Sequence, residues 1–320
     1  MTTMFRFTDI TKSYGSQVAL ESFSLSGHEG QVVALLGENG AGKTTAIKIL
    51  LGLIQPDRGH SSVMKMNSQI HGREIRRVVG YVPDQPALYD WMTVMEIGWF
   101  TSGLYAPGFF DAYTALVKQY QLPEDRPLKQ LSKGMRAKVS LALSLAHEPE
   151  VLILDEPTSG LDAVVRREFL ESMVDVAATG RTVFLCSHQI PEVERVADTV
   201  AVLRGGRLVL SEDLAKLKSE TWMITAAANV DSPVRWPIDL RILSARHEGH
   251  QREWMVRGDR KQIELFREQN PQFTNLRTDS PNLEEIFVRV MQPNSQNGQT
   301  TSTDWSDPAA WERRTEEATP

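Results

Sequence analysis

Gly37-Glu38-Asn39-Gly40-Ala41-Gly42-Lys43-Thr44 follows the pattern G-x-x-x-x-G-K-[ST], and each residue type there has a chemical reason. Glycines let a backbone wrap closely enough for its N–H groups to face phosphate oxygens. A helix beginning at such a loop adds its positive end. Lys43 brings a point charge to the β- and γ-phosphates, and the Thr44 hydroxyl can ligate Mg²⁺. A chance Gly-rich turn would need neither a strand before it nor a helix after it, and both flanks are present here. The chemistry is polyphosphate binding.

Val151-Leu152-Ile153-Leu154-Asp155-Glu156 sets two carboxylates after four apolar residues. A buried parallel strand would deliver Asp155 to the carboxyl edge of a sheet, beside the phosphate loop. There Asp155 can hold Mg²⁺ through water, and Glu156 can polarise an attacking water. Leu131-Ser132-Lys133-Gly134-Met135 precedes an apolar helix over 137–146. Ser132 is placed as its N-cap, and Gly134 leaves backbone N–H groups open, so this helix start suits an anion. Alone it would be an ordinary cap.

These groups need elements to hold them. Phe5-Arg6-Phe7 and Phe23-Ser24-Leu25 alternate like half-buried strands, and 31–36 is an aliphatic run ending in the glycine loop. Residues 45–53 follow as a largely buried helix ended by Pro56. Strand, glycine loop and helix open a parallel α/β unit. Ten aromatics from Tyr81 to Tyr120 fall at helical spacing, which predicts an inserted helical subdomain over about 80–150. Strands are expected again at 151–154 and 182–186, with an amphipathic helix over 164–178 between them. Runs at 200–203 and 207–210 flank Gly205-Gly206 as a hairpin. Further on, 222–225, 242–245 and 254–256 are strand candidates and 259–269 a helix. Ser280-Pro281 predicts a last helix with Ser280 as N-cap. The expected boundaries are 1–218 for the nucleotide domain and 219–291 for a small α+β domain. Residues 292–320 are expected to be a disordered tail.

Taken in order, these motifs resemble the ATPase subunit of an ATP-binding cassette (ABC) transporter, over roughly residues 4–215. The resemblance implies an α/β P-loop NTPase core with a parallel sheet, an antiparallel β subdomain and an inserted helical subdomain. Tyr14, in Thr11-Lys12-Ser13-Tyr14-Gly15, matches the aromatic that stacks on adenine. Gly37, Asn39, Gly40, Ala41, Gly42, Lys43, Thr44 and Thr45 match the phosphate loop. Ser132 and Gly134 are retained from the signature L-S-G-G-Q, while Lys133 and Met135 replace its commoner Gly and Gln. Asp155 matches the magnesium-site acid, with Thr44, and Glu156 the catalytic carboxylate. Ser159-Gly160-Leu161-Asp162 matches the D-loop and His188 the switch histidine. In Val82-Pro83-Asp84-Gln85 the family usually has Gln directly after Pro. Asp84 takes that place and Gln85 comes one step late, so either could serve as the magnesium and water sensor; position along the loop favours Asp84.

The same resemblance implies ATP and Mg²⁺ as ligands. It also implies a site completed by a second copy or a homologous partner, as homodimer or heterodimer. The transport path would lie in a separately encoded membrane-spanning subunit, docked on the aromatic region, and the signature variant is like that of bacterial exporters. Composition agrees with this class. With 41% hydrophobic and 24% charged residues in 320, the chain reads as ordinary globular protein, and a net charge of −6 argues against a nucleic-acid partner. One cysteine, Cys186, excludes an internal disulfide. No run approaches a membrane span and no secretion signal is evident, so the expectation is a cytoplasmic protein, peripheral on the inner face of the membrane. A DNA-repair ATPase of this family would need a long coiled coil between Gly42 and Ser132, which lie under a hundred residues apart. A nucleotide-gated scaffold without turnover would be expected to lack Glu156.

Overall fold

Alternation at the amino end produces long paired strands. In the computed structural model, which describes residues 1–227 and 233–291, β1 (Thr3–Tyr14) pairs antiparallel with β2 (Gln17–His28). The chain divides into two compact units, Met1–Ser211 and Glu212–Pro320.

In the first unit, β3 (Val32–Leu36) leads into α1 (Lys43–Leu50), followed by β4 (Arg58–Val63), β5 (Met66–Asn67), α2 (Gly72–Val78) and β6 (Val79–Val82). Then come α3 (Val94–Ser102), α4 (Phe109–Gln119), α5 (Lys133–Leu145), β7 (Val151–Asp155), α6 (Ala163–Ala178) and β8 (Thr182–Ser187). The unit closes with α7 (Ile190–Val196), β9 (Thr199–Arg204) and the first five residues of β10 (Arg207–Asp213). Strands β2-β1-β4-β5 form one antiparallel sheet. A six-stranded sheet has the order β10-β9-β3-β8-β7-β6, with β9, β3, β8, β7 and β6 parallel. Every residue of β3, β7 and β8 is buried, as a strand covered on both faces requires. Phe5, Phe7 and Phe23 of the antiparallel sheet pack with Phe184 of β8 in one hydrophobic core.

Two expectations are corrected here. Helix α1 spans Lys43–Leu50 and stops before Leu53, and Gly52, not Pro56, accounts for the stop. Gly52 has φ +65°, and a Cβ there would lie 2.2 Å from the Ser68 carbonyl oxygen; only glycine takes this left-handed exit without strain. Val79–Val82, inside the stretch read as helical, is a strand paired with β7. At four residues, Val79-Gly80-Tyr81-Val82, it is too short to show a period of its own. The helical cluster itself runs from Met92 to Ala146, with Val94, Phe109, Tyr113, Val117 and Val139 at its centre.

The second unit holds α8 (Leu214–Glu220), β11 (Thr221–Ala227), β12 (Arg241–Glu248), β13 (Gln251–Arg257), α9 (Arg260–Gln269), β14 (Thr274–Asp279) and α10 (Leu283–Met291). Its antiparallel sheet has the order β12-β13-β11-β14 and is packed by Ile224, Trp254, Val256, Phe266 and Phe273. Strand β14 was not foreseen: it is an edge strand whose one apolar residue, Leu276, packs on the core among polar neighbours, so no apolar alternation announces it. The cap of α10 also differs. Asn282 and Glu285 bond reciprocally, side chain to backbone N–H, at 2.8 Å each. Ser280 instead donates to the Lys218 carbonyl at 3.1 Å. The stretch 292–320, expected as a tail, lies outside the described residues.

Candidate active site

Strand register brings the chemistry together. Across β8, Leu36 lies opposite Ser187 and Asp155 opposite Cys186. The residues that leave these strands, Gly37, Glu156 and His188, therefore emerge side by side at one carboxyl edge. The loop after β3 has no room for side chains at two points: a Cβ on Gly42 (φ +114°) would meet the Ala19 carbonyl at 2.3 Å, and one on Gly37 the Leu203 carbonyl at 2.7 Å. No side chain caps α1, so its first N–H groups stay open towards an anion.

The buried Lys43 ammonium donates to the carbonyls of Gly37 (2.6 Å) and Glu38 (3.2 Å) and lies 3.0 Å from Glu156 Oε1. The Thr44 hydroxyl donates to Asp155 Oδ2 at 2.8 Å, while the buried Oδ1 has no hydrogen-bond partner. Burial pushes the Asp155 carboxyl above its ordinary value, Thr44 and Lys43 pull it down, and the charges of Glu156 and Asp84 push it up. Glu156 holds a left-handed backbone, φ +50°, a conformation that costs a residue with a Cβ about 1–2 kcal/mol. Its N–H donates to the Cys186 carbonyl at 2.9 Å. Its Oε2 sits 2.7 Å from His188 Nδ1 and accepts the His188 backbone N–H at 3.3 Å.

A cleft of about 280 Å³ opens over these groups, lined by Tyr14, Gln17, Ala19, the phosphate loop from Glu38 to Thr45 except the buried Ala41, and by Asp84, Asp155 and Glu156. Tyr14 is half exposed, with the Lys12 ammonium 5.6 Å from its ring centroid and Lys12 paired to Asp57 at 2.8 Å. A ring at one end, backbone amides and a lysine in the middle, and carboxylates with a histidine at the other fit a purine nucleotide and its phosphates.

Comparison with known proteins agrees. The ABC transporter family matches residues 20–159. Nod factor export ATP-binding protein I of Burkholderia lata is 35% identical over 209 residues, covering 63% of this chain and 68% of that protein. The chain belongs to the ATP-binding subunits of ABC transporters. Bacitracin transport ATP-binding protein BcrA of Bacillus licheniformis is similar along both chains, 29% identical over 301 residues and covering 91% and 98% of them. A solved ATP-binding subunit of an ABC transporter superposes with a TM-score of 0.62 at 30% identity, covering 67% of this chain and 92% of that one. The protein is thus an ABC-type ATPase with a P-loop α/β cassette, and ATP is its nucleotide.

Not every residue named from the sequence lines the cleft of this ABC ATPase. Gly37, Ala41, Ser132, Gly134 and Asp162 do not, and His188 reaches it only through Glu156. Ser132 caps α5 by accepting the Met135 N–H at 3.2 Å, and Asp162 caps α6 by accepting from Val164 and Val165 at 3.1 and 3.0 Å. These two helix starts are close together, since a Cβ on Gly134 would fall 2.6 Å from Val165 Cγ1 and one on Gly160 2.4 Å from Lys133 Nζ. Gly134 is therefore small for packing as well as for access. Asp84 faces the cleft, whereas Gln85 is exposed outside it. Three residues of interest were missed: Glu192, Thr158 and Arg166. Glu192 is buried on α7 together with Val193 and Val196, and an acid among apolar positions of one helix was the available signal.

Proposed function

We propose that this ABC ATPase hydrolyses Mg-ATP in a site completed by a second cassette, and that the cycle drives export through a separately encoded membrane-spanning subunit. The observation that carries the reading is the Glu156 carboxylate, gripped between Lys43 and His188 at the mouth of the phosphate loop. Tyr14 stacks on adenine. The N–H groups of the loop, with Lys43, hold the phosphates, and His188 orients the γ-phosphate. The Glu156 carboxylate accepts a hydrogen bond and then the proton from the attacking water as its oxygen bonds the γ-phosphorus and ADP leaves.

The donor set also suits magnesium. Thr44 and Asp155 already share a hydrogen bond, and Asp155 keeps one buried oxygen unpartnered. Among the described residues no group of three or more His, Cys, Asp or Glu forms an all-protein cage, so Thr44, Asp155 and Asp84 would share the ion with phosphates and water. When bound, Mg²⁺ supplies positive charge to the β- and γ-phosphate oxygens.

Dimerisation is supported by Ser132 and Asp162, which are exposed at two adjoining helix starts away from their own cleft, with Gly134 packed behind them. A homodimer is the simplest assembly. Docking of the membrane subunit is supported by Tyr89, Trp91, Trp99 and Phe100, which remain exposed while Phe109 and Tyr113 fill the helical core. A groove of about 360 Å³ nearby is lined by Tyr81, Pro83, Leu88, Tyr105 and His147. Among the described residues no helix is long and apolar enough to cross a membrane. Export, and a place on the cytoplasmic face of the membrane, rest on the exporter-like signature and on relatives that serve Nod factor export and bacitracin transport. Glu156→Gln should cut turnover about 10²-fold or more, the scale of a lost general base, and leave ATP binding intact. It should also trap an ATP-dependent dimer, seen as a size shift in gel filtration. Normal turnover in that variant would remove Glu156 from the role.

A further inference from the structure

Behind the reacting edge lies a second acid that the reaction itself does not touch. Glu192 is 5% exposed and Thr158 1%. The Thr158 hydroxyl donates to Glu192 Oε2, and Arg166 Nε lies 3.2 Å from Glu192 Oε1. Arg166 reaches back to donate to the Leu161 carbonyl at 3.0 Å. One carboxylate thus ties helix α7 to both ends of the segment 158–161.

Sequence spacing gives that tie a second meaning. Thr158 follows Glu156 by two residues, and Glu192 follows His188 by four. The two strand exits are therefore joined twice, once by Glu156 to His188 at 2.7 Å and once by Thr158 to Glu192. The first rung is half exposed at His188, while the second is buried. Glu156 needs outside restraint because its left-handed backbone is strained. Packing alone would not call for a carboxylate here, since a buried charge is costly and an apolar side chain of similar volume is often as stable. The arrangement makes sense if the bond has to hold a direction.

We propose that Glu192 is a positioning residue: through Thr158 and Arg166 it fixes the segment after Glu156 against the helix after His188, so that the two reacting side chains meet in register. This rests on the role proposed for Glu156 and adds to it a restraint outside the cleft. Because Glu192 does not line the cleft, the restraint acts on the chemical step and not on nucleotide affinity.

The test is steady-state ATPase kinetics of the full chain. E192A and T158V should each lower kcat about tenfold, the scale of a small misplacement of reacting groups, with KM for ATP within about twofold. T158S keeps the hydroxyl and should retain wild-type kcat. The double variant E192A/T158V should be no slower than E192A alone, because the bond that T158V removes is already lost with Glu192. Wild-type kcat in T158V, a raised KM with unchanged kcat, or losses that multiply in the double variant would each overturn the proposal. If E192A fails to fold, the near-isosteric T158V and T158S pair still decides it. Full turnover in E156Q would instead overturn the underlying reading, and this proposal with it.

Discussion

Asp155 is 2% exposed, and one of its oxygens is buried without a partner. Its carboxyl is raised first by burial, so the folded value lies above the unfolded one. A carboxyl raised in this way favours the fold most below the ordinary carboxylate range, and that contribution is lost as pH rises through the raised value. At neutral pH its charge is therefore a cost to the nucleotide-free protein. Asp155→Asn, which still accepts from Thr44, should raise the nucleotide-free melting temperature by a few degrees, roughly 1 kcal/mol, while abolishing hydrolysis. The gain should shrink as pH falls towards 4, and calorimetric scans across pH would check both signs. Asp84 offers a second test. Asp84→Ala should impair stimulation of ATPase by the membrane subunit far more than Gln85→Ala, and Asp84→Gln should be tolerated. The reverse pattern would give the role to Gln85. Residues such as Lys43, Asp155 and His188 were legible because each lies at a fixed step from a strand end. Glu192 was not, since its meaning comes from Thr158, which is 34 positions away in sequence.

Elements buried on both faces announce themselves: β3, β7 and β8 each hold an unbroken apolar run of four or five residues, and they set the edge on which the site is built. Where burial is partial, the signal weakens. Strand β6, four residues long, was too short to show a period, β14 has no alternation to read, and the true cap of α10 sits two residues beyond the serine that was expected to supply it. The signature helix carries the clearest test at this scale. A Cβ at Gly134 would lie 2.6 Å from Val165 Cγ1, so Gly134→Ala should destabilise the protein by about 1–3 kcal/mol through overpacking. Val165→Ala in the same chain should recover most of that loss in a thermal melt. If the double variant melts as low as the single one, Gly134 is not held small by Val165.

Every residue that lines the nucleotide cleft lies within Met1–Ser211. A chain ending after Lys218 should therefore still bind ATP in calorimetric titration, even if regulation or solubility suffers. Loss of binding in a well-folded truncation would show that the second unit takes part in the site. The core sheet also has a property that belongs to the protein as a whole. Cys186, the single cysteine of the sequence, is fully buried in β8, opposite Asp155, and burial holds its thiol well above the usual range. A thiol reagent in solution can reach it only when β8 is uncovered. Its rate of labelling therefore counts openings of the sheet that carries the site, on one sulfur and without any engineered probe. Ligand that closes the edge above it should slow that count, which makes the chain its own clock for how often the reacting edge comes apart.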